Sequence, residues 1–463
     1  MKTRSHLSSL ILRGLVVAAS AAPFAPAHAA NNVNLVKPES VAAQKKATKK
    51  VVLDSGVTVI LRRVPDSGIS TISVGFSEGS ANQPAGRKVL NDWAMSSMGR
   101  AAKGYSKEKL NKLTERYSIG IGCGGGVEFS QCSMTALSSY WGQAFPAFVA
   151  VVMNPVFDAV DVKLQKDRME ASFKGMSEDP GAWSNDVVNR VYYPAGHPYR
   201  LLRDEALGEL AALGRDDVVA YHKSLLAGPP PVIVVVSDMP DEKVLADVKK
   251  VFGNWSGKKR DAAAVTAPSF DSSNAFAMEE RDIPTAYIKI KFPAIGAAAK
   301  DSTASRLVFE MLSEELWDEV RTRKSLSYGV GAGQIQYRVG IGAISVSTSK
   351  PQETMDAIAA VIQRLKTKRF SQVEVDRFKV VFSTSYFMTQ ETHGGIAGAL
   401  LSTFNYYGTT DRLYEMPADL ERVTAEDIQR IANDIFKQMR IGVVYAKGKF
   451  NPAWATAFND RVK

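Results

Sequence analysis

The chain has 463 residues, of which 45% are hydrophobic and 23% charged, a composition typical of a globular protein too long for one ordinary core. After the first thirty residues, no apolar stretch is long enough to cross a membrane. The formal charge of +10 includes three basic residues before Ala30, leaving +7, and no basic patch interleaved with aromatic residues points to nucleic acid.

The first 29 residues predict a Sec-type signal peptide. Basic residues precede an apolar run over residues 15–22, and the small-x-small sequence Ala27-His28-Ala29 follows it. The basic residues are Lys2, Arg4 and Arg13. We therefore expect cleavage after Ala29, export to the periplasm and an oxidising environment for the cysteines.

The elements that follow are short strands, a helix and a hairpin. Residues 57–61 and 69–76 alternate as strands do, and a helix is predicted from about residue 86 to residue 100. Residues 118–137 predict a hairpin that contains the glycine-rich stretch 120–126. That stretch lacks the Lys-Ser/Thr of a phosphate-binding loop and a helix directly after it, so it predicts a flexible strand turn.

Cys123 and Cys132 lie on opposite arms of this hairpin. If the turn centres on Val127-Glu128, the two cysteines face each other and can form a disulfide. A shift of register by one residue would separate them and leave two small buried side chains instead. Both interpretations stay open at this point.

The second half of the chain repeats the first. Residues 157–166 and 370–379 open similar helical patterns, offset by 213 residues, and Tyr192-Tyr193 recurs as Tyr406-Tyr407. Residues 213–219 and 423–429 are similar helix starts, and each half ends in a short apolar run. The order of these matches predicts a tandem duplication of a domain of about two hundred residues.

The same alternation of elements continues in the second half. Val308, Leu312, Leu316 and Val320 form a row with a spacing of four, which predicts a helix with one buried face. Residues 328–336 and 341–348 predict another hairpin.

Elements that cluster in this way predict the α+β class, with two homologous tandem domains, each a mainly antiparallel sheet with helices packed on one face. We assign residues 50–254 and 275–450 to the domains and residues 255–274, by composition, to the linker.

Several segments resemble the pitrilysin/insulinase-type zinc metallopeptidases, in the branch that includes the processing peptidases. They are Leu-Asp-Ser-Gly-Val-Thr-Val-Ile at residues 53–60, Gly79-Ser80, Gly-His-Pro-Tyr at residues 196–199, and Leu-Trp-Asp-Glu-Val-Arg at residues 316–321 running on to Tyr328. The resemblance covers nearly all of residues 50–450. It implies a two-domain peptidase fold.

Catalytic members of this family carry a His-x-x-Glu-His zinc motif on the helix after the Gly-Ser pair. Counting forward from Gly79-Ser80 places the motif at residues 92–96, and counting back from the end of the helix places it at residues 95–99; neither stretch contains histidine. The third ligand, a glutamate, would fall near Ser172, with Glu170 close by. We therefore expect no zinc or other cofactor on this chain.

The three histidines after the signal peptide are His197, His222 and His393, and none has a His or Cys at helical ligand spacing. We expect a surface or helix-capping role for each of them.

The resemblance implies a substrate-binding role for Arg321 and Tyr328. Active assemblies of the family carry an Arg and a Tyr seven residues apart that contact the substrate backbone, and this spacing is kept here. Ser325 replaces the usual glycine between them. The alternative interpretation makes Arg321 a helix C-terminal cation and Tyr328 an aromatic residue at the start of a strand.

The leading hypothesis is a non-catalytic, substrate-binding subunit of a periplasmic, heteromeric zinc peptidase that acts on peptides or unfolded proteins. Zinc would then lie in a homologous partner subunit. The first alternative is a peptidase-like scaffold or peptide-binding protein without a catalytic part. The second, a hydrolase with Cys123 as nucleophile, lacks a histidine base near Cys123 in sequence. Whether the glycine-rich stretch 120–126 handles substrate stays open.

Overall fold

The computed structural model describes residues 38–258, 265–270 and 275–462. The predicted signal peptide lies outside this part of the chain, as does part of the predicted linker. Within the described ranges, no helix is both long and apolar enough to cross a bilayer.

The first half of the described chain builds a six-stranded sheet. Its strands are β1 (Thr48–Val52), β2 (Thr58–Arg63), β3 (Ile69–Phe76), β4 (Gly120–Gly125), β5 (Ser130–Leu137) and β6 (Val232–Ser237). They lie in the order β1-β2-β6-β3-β5-β4. Only β2 and β6 pair in parallel among these described strands, so the sheet is mainly antiparallel.

The second half builds a five-stranded sheet of the same topology. Its strands are β7 (Phe276–Arg281), β8 (Ala286–Ala294), β9 (Val330–Gln336), β10 (Gly340–Thr348) and β11 (Arg440–Ala446). The order β7-β11-β8-β10-β9 repeats that of the first sheet without β1, and the parallel pair, β7 and β11, occupies the equivalent place. The predicted α+β tandem duplication is confirmed.

Sixteen α-helices surround the sheets in the described ranges. The first half contributes α1 (Pro38–Lys46), α2 (Val89–Met98), α3 (Lys107–Tyr117), α4 (Trp141–Met153), α5 (Ala159–Gly175), α6 (Pro180–Tyr192), α7 (Arg203–Ala212), α8 (Arg215–Leu226) and α9 (Asp241–Phe252). The second contributes α10 (Ser302–Leu316), α11 (Pro351–Thr367), α12 (Gln372–Met388), α13 (His393–Tyr407), α14 (Asp411–Glu421), α15 (Ala425–Ile435) and α16 (Pro452–Val462). Helices α12 and α13 begin 213 residues after α5 and α6, as the repeat predicts.

Each sheet buries one face under helices of its own half. Ile72 of β3 packs with Trp93 and Phe148 in the first core, and Phe292 of β8 packs with Phe436 in the second. Burial of such large apolar side chains is the main stabilising contribution to each half.

The other face of each sheet is covered by a helix of the opposite half. Helix α13 lies on β3 and β6, where Leu401 packs with Val234, and α6 lies on β7, β8 and β11, where Val187 packs with Val444. All six residues of β6 are buried for this reason, which explains a run of valines without polar alternation.

A glycine permits each of these close approaches. A β-carbon on Gly75 of β3 would lie closer than 3.0 Å to the side chain of Leu401. On Gly442 of β11, a β-carbon would lie equally close to the main chain of Val188. The two halves therefore interlock through reciprocal helices.

The β4–β5 hairpin carries the two cysteines. Cys123 pairs directly with Cys132, which centres the turn between Val127 and Glu128, and a disulfide joins the two residues. Because β4 is the edge of its sheet, the disulfide ties the glycine-rich edge strand to its neighbour.

Candidate functional site

The residues at the expected zinc-motif position serve to pack α2. Trp93 is buried, and its indole nitrogen donates to the carbonyl oxygen of Val162 on α5 at 3.0 Å. Met95 is fully buried, whereas Asp92 points toward β4 and accepts from the amide of Gly125 at 3.4 Å. A helix turn with one carboxylate and no imidazole does not provide the ligands that a catalytic zinc requires.

The position expected for the third ligand does not complete a metal site either. Ser172 is exposed on α5, and Glu170 forms an ion pair with Lys174 at 3.2 Å on the same helix. Across the ranges that the structure describes, no group of three or more His, Cys, Asp or Glu residues could hold a metal ion. The described residues therefore do not fit zinc.

Arg321 lies on a π-helical segment, Trp317–Arg323, that continues α10. The amide of Lys324 donates to the carbonyl of Glu319, five residues back, at 3.2 Å. Such wide turns are rare and are often found at functional sites.

A fixed turn then leads to Tyr328. Ser325 has φ of +49°, the left-handed conformation that favours the glycine it replaces. Leu326 is buried, and the hydroxyl of Ser327 donates to the carbonyl of Ser347 at 2.6 Å. These anchors hold Tyr328 at the surface, where 85% of its side chain is exposed.

The structure brings Arg321 and Tyr328 together and adds Trp317. The guanidinium carbon of Arg321 lies 4.0 Å from the centre of the Trp317 ring and 4.5 Å from that of Tyr328. Both distances are well within the range of cation–π attraction. We call these three side chains the aromatic–arginine stack.

Residues 212–380 match the protein family described as "Peptidase M16 inactive domain". The matched segment, 169 of the 463 residues, therefore resembles a domain of the M16 peptidase family. The predicted relationship to the zinc peptidases of the pitrilysin/insulinase type, as a member without the catalytic motif, is thereby confirmed.

One curated protein and two solved structures resemble most of the chain. The zinc protease PqqE of Helicobacter pylori is 19% identical over 422 residues, which cover 86% of this chain and 92% of that protein. The peptidase M16 inactive domain from Pseudomonas fluorescens superposes with a TM-score of 0.78 at 18% identity, covering 88% of this chain and 99% of that one. The periplasmic protease PqqL from Escherichia coli gives a TM-score of 0.75 at 15% identity, covering 87% of this chain and 46% of PqqL.

The histidines of this chain correct one expectation. His197 and His222 are buried, and do not lie at the surface. The His222 ring contacts the carbonyl of Val152 at 2.9 Å, and the His197 ring contacts that of Thr266 at 3.2 Å. Burial lowers the pKa of both rings and favours their neutral form, so both histidines act in packing. His393 is half-buried at the first position of α13.

Glu128, at the tip of the disulfide-linked hairpin, joins the two halves of the M16 fold. Its side chain is fully buried, and it accepts hydrogen bonds from the hydroxyl groups of Tyr199 and, at 2.7 Å, Tyr406. The main-chain amide of Arg338 donates to both carboxylate oxygens at 3.1 Å. A buried carboxylate needs such partners, so these contacts fix the hairpin against the second half.

Sequence reasoning missed Trp317 and Glu128. Trp317 precedes Arg321 by four residues and lies outside the buried row that ends in Val320. This position in the sequence could have predicted an exposed aromatic side chain beside the arginine. Nothing local marks Glu128, because its partners are distant in sequence.

Proposed function

We propose that this chain is the zinc-free, substrate-binding subunit of a two-chain M16 metallopeptidase that degrades peptides or unfolded proteins. The partner would be a homologous subunit with the His-x-x-Glu-His motif, and the zinc chemistry would belong to that partner. The observation that carries the proposal is the exposed aromatic–arginine stack. It lies on a peptidase-like fold in which, among the described residues, the helix expected to carry the zinc motif has no set of zinc ligands.

The chemistry of the stack supports a direct part in turnover. A guanidinium group supplies charge-assisted donors to a carbonyl oxygen, and a phenol can stabilise negative charge that develops on oxygen. Tyr328 is exposed, so both groups can reach a bound peptide without unfolding.

Export to the periplasm is part of the proposal. It is supported by the signal-peptide pattern over residues 1–29, by the Cys123–Cys132 disulfide, and by the likeness to PqqL, which is a periplasmic protease.

The test is reconstitution with the partner subunit and measurement of kcat/KM for a peptide substrate. Arg321→Ala and Tyr328→Phe are each expected to lower turnover by about a hundred- to a thousandfold, the usual effect of removing one donor from developing charge. If both residues act on one carbonyl, the double variant should lose less than the product of the two effects.

Arg323→Ala is the matched control, because Arg323 lies two residues away and pairs with Asp318 at 2.6 Å. Its activity should be unchanged, and the melting temperature and complex formation of all variants should match the wild type. Turnover within about threefold of wild type for both test variants would show that the stack is not catalytic, since a lost transition-state contact costs more. A peptide-binding scaffold would then be the better description.

A further inference from the structure

Two aromatic rings contact the Arg321 guanidinium group. Trp317 and Tyr328 lie 4.0 Å and 4.5 Å from its central carbon, and 40% of Trp317 and 85% of Tyr328 are exposed. Such ring contacts leave the N–H groups along the guanidinium edge able to donate hydrogen bonds.

Those edge donors have no partner within the described ranges, since Arg321 makes no hydrogen bond or ion pair there. The acidic residues nearby are occupied. Asp318 pairs with Arg323 at 2.6 Å, and Glu319 pairs with Lys324 at 3.1 Å and with Arg364 at 3.0 Å. The positive charge of Arg321 is therefore locally uncompensated.

We propose that the aromatic–arginine stack binds a carboxylate group of the peptide, and that Trp317 is a positioning residue that holds the Arg321 fork. This inference rests on the proposed function and deepens it, because it names the chemical group that is recognised. A planar carboxylate accepts two parallel N–H groups from one guanidinium edge, whereas a single main-chain carbonyl offers one oxygen. The carboxylate belongs either to a peptide C-terminus or to an acidic side chain.

Two features make Trp317 the positioning residue. It precedes Arg321 by four residues on the π-helical segment, so the rigid helix sets their separation. Arg321 has no acidic partner in the described chain to orient it, and the indole face is the nearer of its two ring contacts.

The test uses the mature chain alone, so that it does not depend on the partner or on turnover. Calorimetry would compare three short unlabelled peptides. Two share one sequence, as the free C-terminal acid and as the C-terminal amide, and the third is the amide with its central residue replaced by glutamate. The acid should bind about ten- to a hundredfold more tightly than the plain amide, as expected for loss of a charged hydrogen-bonded pair. Tighter binding of the glutamate peptide than of the plain amide would identify side-chain carboxylates as ligands too.

Substitutions then separate positioning from folding. Arg321→Lys keeps the positive charge but loses the paired N–H donors of the guanidinium group. Trp317→Leu removes the ring that positions this group. Both variants should lose most of the preference for the acid over the amide. Trp317→Phe should keep the preference, because an aromatic ring still contacts the guanidinium group. Arg323→Lys, on the same segment, should leave the preference unchanged.

Equal affinity for all three peptides, or no binding of any of them, would overturn the proposal. If Trp317→Leu lowered the affinity for the acid and for the amide by the same factor, Trp317 would only support the fold. Neither result would contradict the proposed function, because turnover by the reconstituted pair does not require a carboxylate on the substrate.

Discussion

Lys291 on β8 is buried beneath α6 of the opposite half. Its ammonium group donates to the side-chain oxygen of Asn189 at 2.6 Å and lies 5.6 Å from the centre of the Tyr193 ring. Burial, with a smaller contribution from Lys289, lowers the pKa of Lys291 to about 7 from its ordinary value of 10.5. Between these two pH values the unfolded chain holds a proton that the folded chain lacks, so the stability of the folded state rises with pH.

Lys291→Met should therefore raise the free energy of unfolding, most strongly below pH 7. At about 1.4 kcal/mol per unit of pKa shift, the gain is a few kcal/mol, reduced by the unpaired Asn189. Urea unfolding at pH 6.5 and pH 9.5 checks this, and the difference between variant and wild type should shrink at the higher pH.

Lys300→Met is the control, because Lys300 is exposed and its substitution should change stability little at either pH. A gain from Lys291→Met that is independent of pH would show that the cause is better packing rather than relief of a buried charge.

At the residue scale, sequence could place Arg321 and Tyr328 but not their geometry. Their spacing and the surrounding motif predicted a joint role, whereas the π-helical segment and the left-handed Ser325 depend on backbone bonds that no residue pattern specifies. The buried histidines were mistaken for surface residues because burial of a polar ring depends on a distant carbonyl, such as that of Val152 for His222.

At the scale of the elements, the two glycines under the reciprocal helices predict unequal effects. Gly442→Ala should destabilise the protein more than Gly75→Ala, for which overpacking typically costs about 1–3 kcal/mol. A methyl group on Gly442 meets the main chain of Val188, which cannot move alone, whereas one on Gly75 meets the side chain of Leu401. Chemical unfolding of both variants measures the difference.

Gly122→Ala supplies the comparison, because nothing lies within 4 Å of a β-carbon at this edge-strand position. It should be close to neutral. Leu401→Ala should cost less stability in the Gly75→Ala background than in the wild type, and an equal cost in both would show that the contact with α13 is not the cause.

The disulfide between Cys123 and Cys132 joins the neighbouring strands β4 and β5. Non-reducing peptide mapping of exported protein should recover a fragment in which Cys123 is linked to Cys132. The bond closes a loop with a sequence separation of 9, so its removal should cost about 2–3 kcal/mol in a chain-entropy estimate. Two thiols open to alkylation in unfolded, unreduced protein would contradict the bond.

Strands and helices were largely predictable, because hydrophobic periodicity reports which face of an element is buried. The predicted strand at residues 69–76 coincides with β3. The hairpin turn is centred between Val127 and Glu128, the register that the disulfide between Cys123 and Cys132 required. Periodicity does not report what covers a face, so the exchange of α6 and α13 between halves could not be foreseen.

At the scale of the whole molecule, the lack of a fitting zinc site predicts the metal content. The purified mature chain should hold far less than one zinc per chain and show no peptidase activity sensitive to chelators. Elemental analysis and a peptide-cleavage assay measure both. Stoichiometric zinc, with activity lost on chelation, would refute the proposed division of labour between two subunits.

The internal repeat predicted the duplicated topology, because equivalent motifs recur at a nearly constant offset. The limits of the two domains and of the linker stay predictions. The contacts of Glu128 could not be predicted from the sequence, because its partners Tyr199 and Tyr406 lie in different halves of the chain.

The reciprocal helices also set an order of events during synthesis. The first sheet is complete at Ser237, but the helix that covers its second face begins only at His393, more than 150 residues later. Until then Val232, Val234 and Ile60 face water, and such transiently exposed sheet surface favours aggregation. A nascent or truncated first half should therefore depend on chaperones, and fragments that end before α13 should be recovered mainly as insoluble protein.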